Sequence, residues 1–515
     1  MARSDEPVSE HSRSIEHERR RTHALAMGGA AKIAARAEAG IFSARQRVDR
    51  LLDPESWEEV GLFAVSDNPA DRERTPADGK VTGFGRIDGR NVAVVAYDFT
   101  VKGSSSGTIG ERKVGYMKEK ARENGTPIVF LCESTGARMP DVMGAQGMAT
   151  LDGRTRFLRR RESPWVSAVL GSAFGSAAWH AAASDFCVMR KASVMAVSSP
   201  RLIRSATGEQ VDPEDVGGWR LHSEVTGLAD AVAESDEHAI SMVQRFLGYL
   251  PSHQGQPPPT SPVPAGPGDA AEALAGVVPN ARSRVYDVRK VIEAVVDRDS
   301  SLELKPRFGR SLATTLARVG GRSVGVIANN PFFKGGALDA DACDKAIDFL
   351  VLCDSFNIPL ISLVDQPGFL VGLEAERRGI VGKVINWMNA LSLVTVPRIM
   401  VVLRKSYGQA YINMGGGGLS DASAAWWSAD VSFMDPAAAA GVLQPADARG
   451  ESSSALVAQE MTKETSAYAL AGVFGVHSVI APRDTRDYLL RALEIHADGS
   501  RTVGKHLLSS WPTSN

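Results

Sequence analysis

The chain has few cysteines, no long apolar run and almost no net charge, and each shortage removes a class of function. Its 515 residues include four cysteines, none of them in a CxxC pair, which excludes a zinc ribbon and a thioredoxin-like motif. No apolar stretch approaches the roughly 20 residues that span a bilayer. The formal charge of −2 gives no general attraction for nucleic acid or an anionic membrane. Any anionic ligand must therefore be bound by local groups.

The cysteines and the N-terminal segment indicate the cellular compartment in which the protein works. All four cysteines lie within apolar runs, which indicates buried thiols and suits a reducing environment: Cys132, Cys187, Cys343 and Cys353. The segment from Met1 to Arg21 mixes Glu, Asp, His and Arg without an apolar core, so it resembles neither a secretory signal nor a mitochondrial presequence. We therefore expect a cytoplasmic protein with no membrane partner.

Several catalytic motifs are missing too. The chain has no HExxH and no Walker A motif, and the run GSAFG at 171–175 lacks a serine at the nucleophile position of GxSxG. The GGGG run at 415–418 lacks the spacing of a dinucleotide fingerprint and predicts a turn. We expect no metal site in this chain.

What the chain does contain is a pattern of alternating strands and helices. An Ala-rich segment from Ala24 to Leu52 has helical spacing and ends before Asp53-Pro54. The apolar runs Asn91 to Tyr97 and Pro127 to Leu131 suit strands buried on both faces, and a helical stretch, Gly110 to Glu123, lies between them. This alternation predicts an α/β fold.

A proline-rich run divides the chain. The segment PSHQGQPPPTSPVPAGPG at 251–268 is polar and rich in proline, so it predicts an exposed linker without regular structure. We therefore divide the chain into an N-terminal domain (1–250), a linker (251–270) and a C-terminal domain (271–515).

The second half of the sequence repeats the first. When Arg86 is placed over Arg318, the run RIDGRNVAVVA (86–96) lies over RVGGRSVGVIA (318–328). The same offset pairs Gly136 with Gly368, and a shift by one more position pairs Gly175 with Gly408. Strand, proline and glycine positions stay in register from the first of these pairs to the last, which predicts a duplicated domain rather than a solenoid.

The paired glycines indicate a place where chemistry can occur. In each half an apolar strand ends in a glycine turn that enters a helix, at 166–183 and at 399–414. Glycine permits unusual dihedrals and close approach of a ligand, and the first N–H groups of a helix have no partner within it. Two such N–H groups that point at one oxygen form an oxyanion hole. The alternative is that Gly175 and Gly408 only permit close packing, and recurrence in both halves favours function.

Two other features leave their roles open. The loop KGSSSG at 102–107 suits either an approach to phosphates or a plain surface loop. A cluster of arginines suits either the phosphates of coenzyme A or a solvated helix face: Arg154, Arg156, Arg159, Arg160 and Arg161.

Long signatures from about Glu38 to the C-terminus resemble one family, the carboxyltransferase (beta) subunits of propionyl-CoA and related biotin-dependent acyl-CoA carboxylases. The runs that carry the resemblance are SARQRVDRLLDP (43–54), DGKVTGFG (78–85), DFTVKGSSSG (98–107), STGAR (134–138), TGEQVDPEDVGG (207–218), YDVRKVI (286–292), VDQPGFLVG (364–372) and RKSYGQAY (404–411).

The resemblance implies two tandem crotonase-like domains, each a ββα superhelix. The N-terminal domain would bind acyl-CoA and the C-terminal domain carboxybiotin, with active sites formed between the subunits of a hexamer. It implies backbone oxyanion holes at Gly175 and Ser176 for the thioester oxygen and at Gln409 and Ala410 for the biotin oxygen. The remaining residues that it implies are Gly136, Ala137, Arg138 and Ile412 for the substrate, and Gly368, Phe369 and Gly408 for biotin.

The chain departs from the family pattern at four places. Ser176 and Gln409 replace glycines, and Gly382 to Asn386 replaces an Arg-His-Gly-Ala-Lys run. Ile412 stands where propionyl-type members often have Asp, which implies an apolar acyl pocket. These departures put the shape of both sites in question.

Three functions follow from the resemblance. The first is carboxylation of a short acyl-CoA by carboxybiotin, which a biotin carboxylase/carrier partner supplies because the chain has no MKM-type biotinylation site and no ATP-binding motif. The second is decarboxylation of a malonyl- or methylmalonyl-type CoA thioester. The third is a non-catalytic assembly subunit.

Overall fold

The computed structural model describes residues 10–149, 159–264, 274, 276–443, 458–459, 462, 464–497 and 503–512. The chain divides into two compact units. Unit 1 comprises Met1–Arg159, Ser163–His222 and Ala231–Arg245, and unit 2 comprises Arg160–Glu162, Ser223–Asp230 and Phe246–Asn515. Each unit contains one eight-stranded sheet. A helix with the length and apolar character of a membrane span is absent from the described residues.

The sheet of unit 1 has the strand order β1-β2-β3-β4-β5-β6-β8, with β7 paired to β5. Its strands are β1 (Glu58–Glu59), β2 (Lys80–Ile87), β3 (Arg90–Tyr97), β4 (Ile128–Ser134), β5 (Trp165–Phe174), β6 (Phe186–Arg190), β7 (Val194–Ala196) and β8 (Ala231–Ala233). Strands β1 to β3 are antiparallel, and the pairs from β3 to β8 are parallel. The helices are α1 (Glu10–Leu25), α2 (Ala30–Glu38), α3 (Ala44–Leu51), α4 (Thr108–Glu123), α5 (Met139–Val142), α6 (Gly144–Ala149), α7 (Ser176–Ala182), α8 (Pro200–Thr207), α9 (Pro213–Gly217) and α10 (Asp236–Leu247), which continues into unit 2.

The sheet of unit 2 has the order β16-β14-β13-β12-β11-β10-β9, with β15 paired to β13. Its strands are β9 (Leu302–Leu304), β10 (Leu312–Val319), β11 (Arg322–Asn329), β12 (Leu360–Gln366), β13 (Arg398–Tyr407), β14 (Ala422–Trp426), β15 (Asp430–Ser432) and β16 (Ser478–Ile480). The helices are α11 (Arg289–Val295), α12 (Ala340–Ser355), α13 (Leu373–Arg377), α14 (Ile380–Leu393), α15 (Gln409–Asn413), α16 (Pro436–Leu443), α17 (Ala467–Gly472) and α18 (Thr485–Ala497).

Continuous apolar runs form the central strands because these strands are covered on both faces. Every residue of β4 is buried, and so are the last six residues of β3. The expected strands at Asn91 to Tyr97 and Pro127 to Leu131 and the expected helix at Gly110 to Glu123 are present. All four cysteines are buried and free, as predicted. The α/β class is confirmed.

The duplication is visible in the element bounds. Strands β2, β3 and β4 and helix α4 recur as β10, β11, β12 and α12, with the same lengths and at the offset that places Arg86 over Arg318. Strand β5 recurs as β13, shifted by one more position. The irregular step in the pairing of β4 with β5, between Cys132 and Ser134, recurs between Val364 and Gln366. The predicted repeat is therefore confirmed at the level of single residues.

The predicted N-terminal helix is interrupted. Instead of one helical segment from Ala24 to Leu52, the chain forms α1, α2 and α3. The first break falls at Gly28, where a Cβ would lie 2.1 Å from the carbonyl oxygen of Thr100, so the backbone here packs directly on another segment. Helix spacing alone does not reveal such a contact. The last helix ends at Leu51, before Asp53-Pro54 as expected.

The proline-rich run has no helix or strand between residues 251 and 264, and residues 265–270 lie outside the described part. The run is nevertheless bound to unit 2. Asn357 Nδ2 donates to the carbonyls of Gln254 and Gln256 at 2.7 Å each, and Arg318 Nη1 donates to the carbonyl of Pro259 at 2.9 Å. These bonds hold it along the surface of unit 2.

Candidate active site

The first site lies where β5 of unit 1 meets α7. Gly175 has φ 63° and ψ −127°, a conformation that strains any residue with a side chain, and α7 begins at the next residue, Ser176. The loop after β4 approaches this turn: a Cβ on Gly175 would lie 3.6 Å from Cα of Gly136 and 4.0 Å from N of Ala137. Neighbouring parallel strands end at the same edge of a sheet, which is where α/β folds bind ligands. Gly136, Ala137, Gly175 and Ser176 are thus brought together.

The loop that contains Gly136 is pinned by backbone bonds. Ser106 N–H donates to the carbonyl of Gly136 and Arg138 N–H donates to the carbonyl of Ser106, both at 2.8 Å. The run KGSSSG therefore forms part of the site wall. Ser104 within it is fully buried and accepts through its carbonyl from Lys80 Nζ, so the run is a packed element rather than a plain surface loop.

The Arg138 guanidinium is engaged by the protein. The residue is 4% exposed, and its Nη1 lies 2.6 Å from Asp78 Oδ1 and 3.1 Å from Asp141 Oδ2. Its Nη2 donates to the carbonyl of Ser105 at 2.9 Å. These bonds fix the loop after β4 and occupy the guanidinium within the protein.

The second site, in unit 2, repeats this backbone. Gly408 has φ 64° and ψ −153° at the end of β13, and α15 begins at Gln409. In the loop after β12, Gly368 accepts from Leu338 N–H at 3.1 Å, and Leu370 N–H donates back to the Leu338 carbonyl at 2.8 Å. The parallel bridge between Leu338 and Phe369 matches the one between Ser106 and Ala137.

Two apolar side chains belong to the second site, those of Phe369 and Ile412. Phe369 is half-buried and packs edge-on against Trp387, with ring centroids 6.3 Å apart. Ile412 is half-buried under the glycine turn, where a Cβ on Gly417 would lie 2.7 Å from Ile412 Cδ1. Of the residues assigned to the substrate, Ile412 belongs to unit 2, and the other three belong to unit 1.

Each helix start offers free donors. Among the residues that the structure describes, none accepts a hydrogen bond from the N–H groups of Ser176, Ala177, Gln409 or Ala410. The N–H groups that bond to the turn residues belong to residues further along each helix. Trp179 N–H donates to the Gly175 carbonyl, and Tyr411 N–H donates to the Gly408 carbonyl. Such groups carry the positive end of the helix dipole and suit an oxygen that gains negative charge.

The departures from the family pattern are accommodated by neighbouring helices. The Ser176 hydroxyl lies 2.9 Å from Glu111 Oε1 on α4. The Gln409 side chain turns toward α14, where its Nε2 lies 2.9 Å from Met388 Sδ. The run 382–386 lies within α14, and Lys383 pairs with Asp344 of α12. The side chains of Ser176, Gln409 and Lys383 therefore each contact a neighbouring helix.

Two buried lysines were missed by the sequence analysis. Lys113 Nζ donates to the carbonyls of Gly61, Ala77 and Lys80, at 3.0, 3.0 and 2.6 Å. Lys345 Nζ, at the equivalent place in the second half, donates to three carbonyls at 2.8, 3.0 and 2.7 Å. The alignment of the two halves already placed one lysine over the other. A charged residue that recurs inside a helix flanked by apolar strands was the available signal.

The remaining candidates for chemistry are buried or paired. Burial raises the pKa of the Cys132 thiol to about 12, so this thiol is not a nucleophile near neutral pH. Of the arginine cluster, Arg154 and Arg156 lie outside the described residues. Arg159 pairs with Asp185 at 2.5 Å, and Arg161 donates to the carbonyls of Ser509 and Trp511. These two arginines serve the fold rather than a solvated helix face.

Two duplicated α/β domains, each with helix N–H donors at the carboxyl end of a parallel strand, define a protein of the crotonase-like class. Residues 35–507 match the carboxyl transferase domain family, and the chain belongs to that family. It is 37% identical over 502 residues to the propionyl-CoA carboxylase beta chain of Saccharopolyspora erythraea, covering 93% of this chain and 92% of the relative.

Two further similarities bear on function. The chain is 34% identical over 489 residues to the methylmalonyl-CoA decarboxylase subunit alpha of Veillonella parvula, covering 93% and 95% of the two chains. Its structure matches the hexameric transcarboxylase 12S, crystallised with methylmalonyl-coenzyme A and methylmalonic acid, with a TM-score of 0.88 and 35% identity over 95% of this chain and 96% of that one. The predicted crotonase-like fold and the predicted carboxyltransferase enzyme are confirmed.

Proposed function

We propose that the chain transfers a carboxyl group from carboxybiotin on a partner protein to the α carbon of a short acyl-CoA. The observation that carries this proposal is the pair of strand-to-helix turns, one in each unit, with free N–H groups at Ser176 and Gln409. The reaction has two oxygens that gain negative charge, one on the thioester and one on the biotin ureido group. Two equivalent donor sites suit two such oxygens.

In the N-terminal domain (1–250), the N–H groups of the turn at Gly175 and Ser176 hold the thioester oxygen. Removal of the α proton builds charge on that oxygen, and each well-placed donor contributes about 3–4 kcal/mol to the transition state. Gly136 and Ala137 lie against the turn and form the opposite wall. Arg138 orders this wall through its bonds to Asp78 and Ser105.

In the C-terminal domain (271–515), Gln409 and Ala410, after Gly408, hold the ureido oxygen. Biotin supplies the carboxyl group when its carrier docks, and the ureido nitrogen that gives up this group takes the α proton. The free donors at the start of α15 fit an oxygen acceptor, and the half-buried Phe369 beside Gly368 fits the apolar edge of a bicyclic ring. These residues orient the ring and stabilise charge without a nucleophile of their own.

Ile412 is the residue that we assign to the acyl group from unit 2. Its half-buried branched side chain offers no hydrogen bond, which favours a short hydrocarbon acyl group over one with a polar substituent. The hexamer of transcarboxylase 12S supports a homo-hexamer for this chain, and the name of the carboxylase beta chain supports a biotin carboxylase/carrier partner. The location of the protein in the cytoplasm stays a prediction from the sequence.

A reconstitution tests the proposal. The purified chain is mixed with its biotin carboxylase/carrier partner, ATP, labelled bicarbonate and, in turn, acetyl-, propionyl- and butyryl-CoA. We expect label in the carboxyl group of at least one acyl product, with dependence on the carrier. Absence of labelled product with every acyl-CoA, in the presence of a carrier shown to be carboxylated, would contradict the proposal.

Decarboxylation of a malonyl- or methylmalonyl-type CoA thioester is the second candidate, because one relative is a methylmalonyl-CoA decarboxylase subunit. The same donors stabilise the enolate in either direction. Release of CO₂ from methylmalonyl-CoA in the presence of the carrier but without ATP would favour this candidate. ATP-dependent fixation with no such release would favour carboxylation.

A further inference from the structure

The Ser176 side chain is held by two neighbours within unit 1. Its hydroxyl oxygen lies 2.9 Å from Glu111 Oε1 and 3.0 Å from Ser106 Oγ. Both serines are only 7% exposed, so their hydroxyls are shielded from water. The three side chains come from different segments: the start of α7, the first turn of α4 and the loop before α4.

The direction of these hydrogen bonds follows from chemistry. Glu111 lies in the first turn of α4, where the helix dipole stabilises a carboxylate, and an ionised carboxylate only accepts. Ser176 therefore donates its single proton to Glu111. Since that proton is used, Ser106 donates to Ser176. The hydroxyl of Ser176 is thus directed toward α4 with a fixed orientation.

A serine hydroxyl at this place has another choice. Ser176 is the first residue of α7, after the N-cap Gly175, and a serine hydroxyl can bond its own or a neighbouring backbone N–H group. The free N–H groups of α7 include that of Ser176, which the proposed function assigns to the thioester oxygen. A hydroxyl that turned onto them would compete with the substrate.

The second copy has no such arrangement. The residues equivalent to Ser106, Glu111 and Ser176 are Leu338, Cys343 and Gln409. Leu338 and Cys343 are fully buried, and Gln409 is exposed and turns toward α14. The carboxylate therefore accompanies the serine and is absent where the serine is absent, which argues against a general role in the fold.

We propose that Glu111 is a positioning residue of the acyl-thioester site, which draws the Ser176 hydroxyl toward α4 and so keeps the N–H groups of α7 free for the substrate oxygen. The inference rests on the proposed function of unit 1. Glu111 acts through Ser176, and its effect must vanish when the hydroxyl is removed.

A double-mutant cycle measures this dependence. The variants are Glu111→Ala, Ser176→Gly and the double variant, assayed for kcat and for the KM of the acyl-CoA in the reconstituted carboxylase. We expect Glu111→Ala to lower kcat about ten-fold in the Ser176 background, the loss of roughly one hydrogen bond to a charged group. In the Ser176→Gly background the same change should have less than a two-fold effect. Glu111→Gln should recover most of the lost kcat, because its amide oxygen still accepts.

Two controls separate positioning from stability. Glu119→Ala removes an exposed carboxylate from the same helix and should leave kcat unchanged. Should Glu111→Ala fail to fold, Glu111→Cys introduces the residue that the second copy buries at this place, with the same expected loss. Thermal unfolding of each variant shows whether the protein remains folded.

The outcomes are distinguishable. An equal loss of kcat in both backgrounds would mean that Glu111 supports the fold alone and would overturn the inference. No loss in either background would overturn it too. In both cases transfer by the wild-type chain leaves the proposed function intact. A folded wild-type chain that transfers no carboxyl group to any acyl-CoA overturns the function and the inference together.

Discussion

The two copies of the domain share a backbone but differ in the side chains around it. Gly175 and Gly408 have φ values of 63° and 64°, and the strands that lead to them have the same length. Near the first turn lie hydroxyls and a carboxylate, whereas the residues equivalent to Ser106, Ala137 and Glu111 in the second copy are Leu338, Phe369 and Cys343. Duplication thus preserved the donors of the main chain while the side chains diverged, as expected if each copy binds a different oxygen acceptor.

The comparison is tested most strongly at the two glycines. Gly175→Val and Gly408→Val each place a β-branched residue at a positive φ, which should displace the donors of the following helix. We expect each change to lower kcat about 100-fold or more, the cost of losing an oxyanion donor. The measurement is acyl-CoA carboxylation by the reconstituted enzyme.

Gly89→Val is the matched control. Gly89 has φ 76°, and no atom lies within 4 Å of the place that a Cβ would occupy. It lies in the turn between β2 and β3, at the edge of the sheet opposite to the edge that holds the Gly175 turn. It should cost stability but little activity. Full activity in folded Gly175→Val and Gly408→Val proteins would contradict the two donor sites and favour a non-catalytic assembly subunit.

The two equivalent buried lysines allow the stability of the two copies to be compared. Lys345→Met leaves the carbonyls of Lys305, Phe308 and Leu312, all in buried residues, without their donor. We expect a loss of about 3 kcal/mol in the free energy of unfolding, at roughly 1 kcal/mol per carbonyl. Lys113→Met should cost less, because Gly61, one of its partners, is exposed and can bond to water.

Thermal or denaturant unfolding of both variants checks this order. Lys290→Met, at an exposed lysine, is the control and should change stability little. A larger loss from Lys113→Met than from Lys345→Met would mean that exposure of the accepting carbonyl does not decide the cost.

The smallest expected difference between the copies is in pH dependence. Burial lowers the pKa of Lys345 to about 7 and that of Lys113 to about 8, from 10.5. Above the lowered pKa the folded protein has released a proton that the unfolded chain keeps, so the unfolded state binds more protons and the free energy of unfolding rises with pH. This rise begins near pH 7 for Lys345 and near pH 8 for Lys113, and it ends near 10.5.

Both lysines therefore contribute to this rise, and the contribution of Lys345, whose pKa is lowered further, begins at the lower pH. The stability difference between wild type and Lys345→Met should begin to grow at a lower pH than the difference between wild type and Lys113→Met. Unfolding midpoints at several pH values measure both. A parallel response of the two variants would show that the lysines are in equivalent surroundings.

Much of the fold could be predicted because it depends on local patterns. Apolar runs at β3 and β4 predicted buried strands, and the constant offset between the two halves predicted two equivalent domains. The close approach of Gly28 to Thr100 could not be predicted, because the two residues are far apart in the sequence. The engagement of Arg138 by Asp78 was hidden for the same reason.

The sequence by itself determined which apolar runs form buried strands, which glycines recur and which family the chain belongs to, since these depend on the order of residues along one chain. Only the tertiary structure decided what the side chains near the turns do. Ser176 was visible as a departure, but its partner Glu111 is 65 residues away. Hydrogen bonds between distant segments depend on distances of a few tenths of an ångström, and no periodicity in the sequence encodes them.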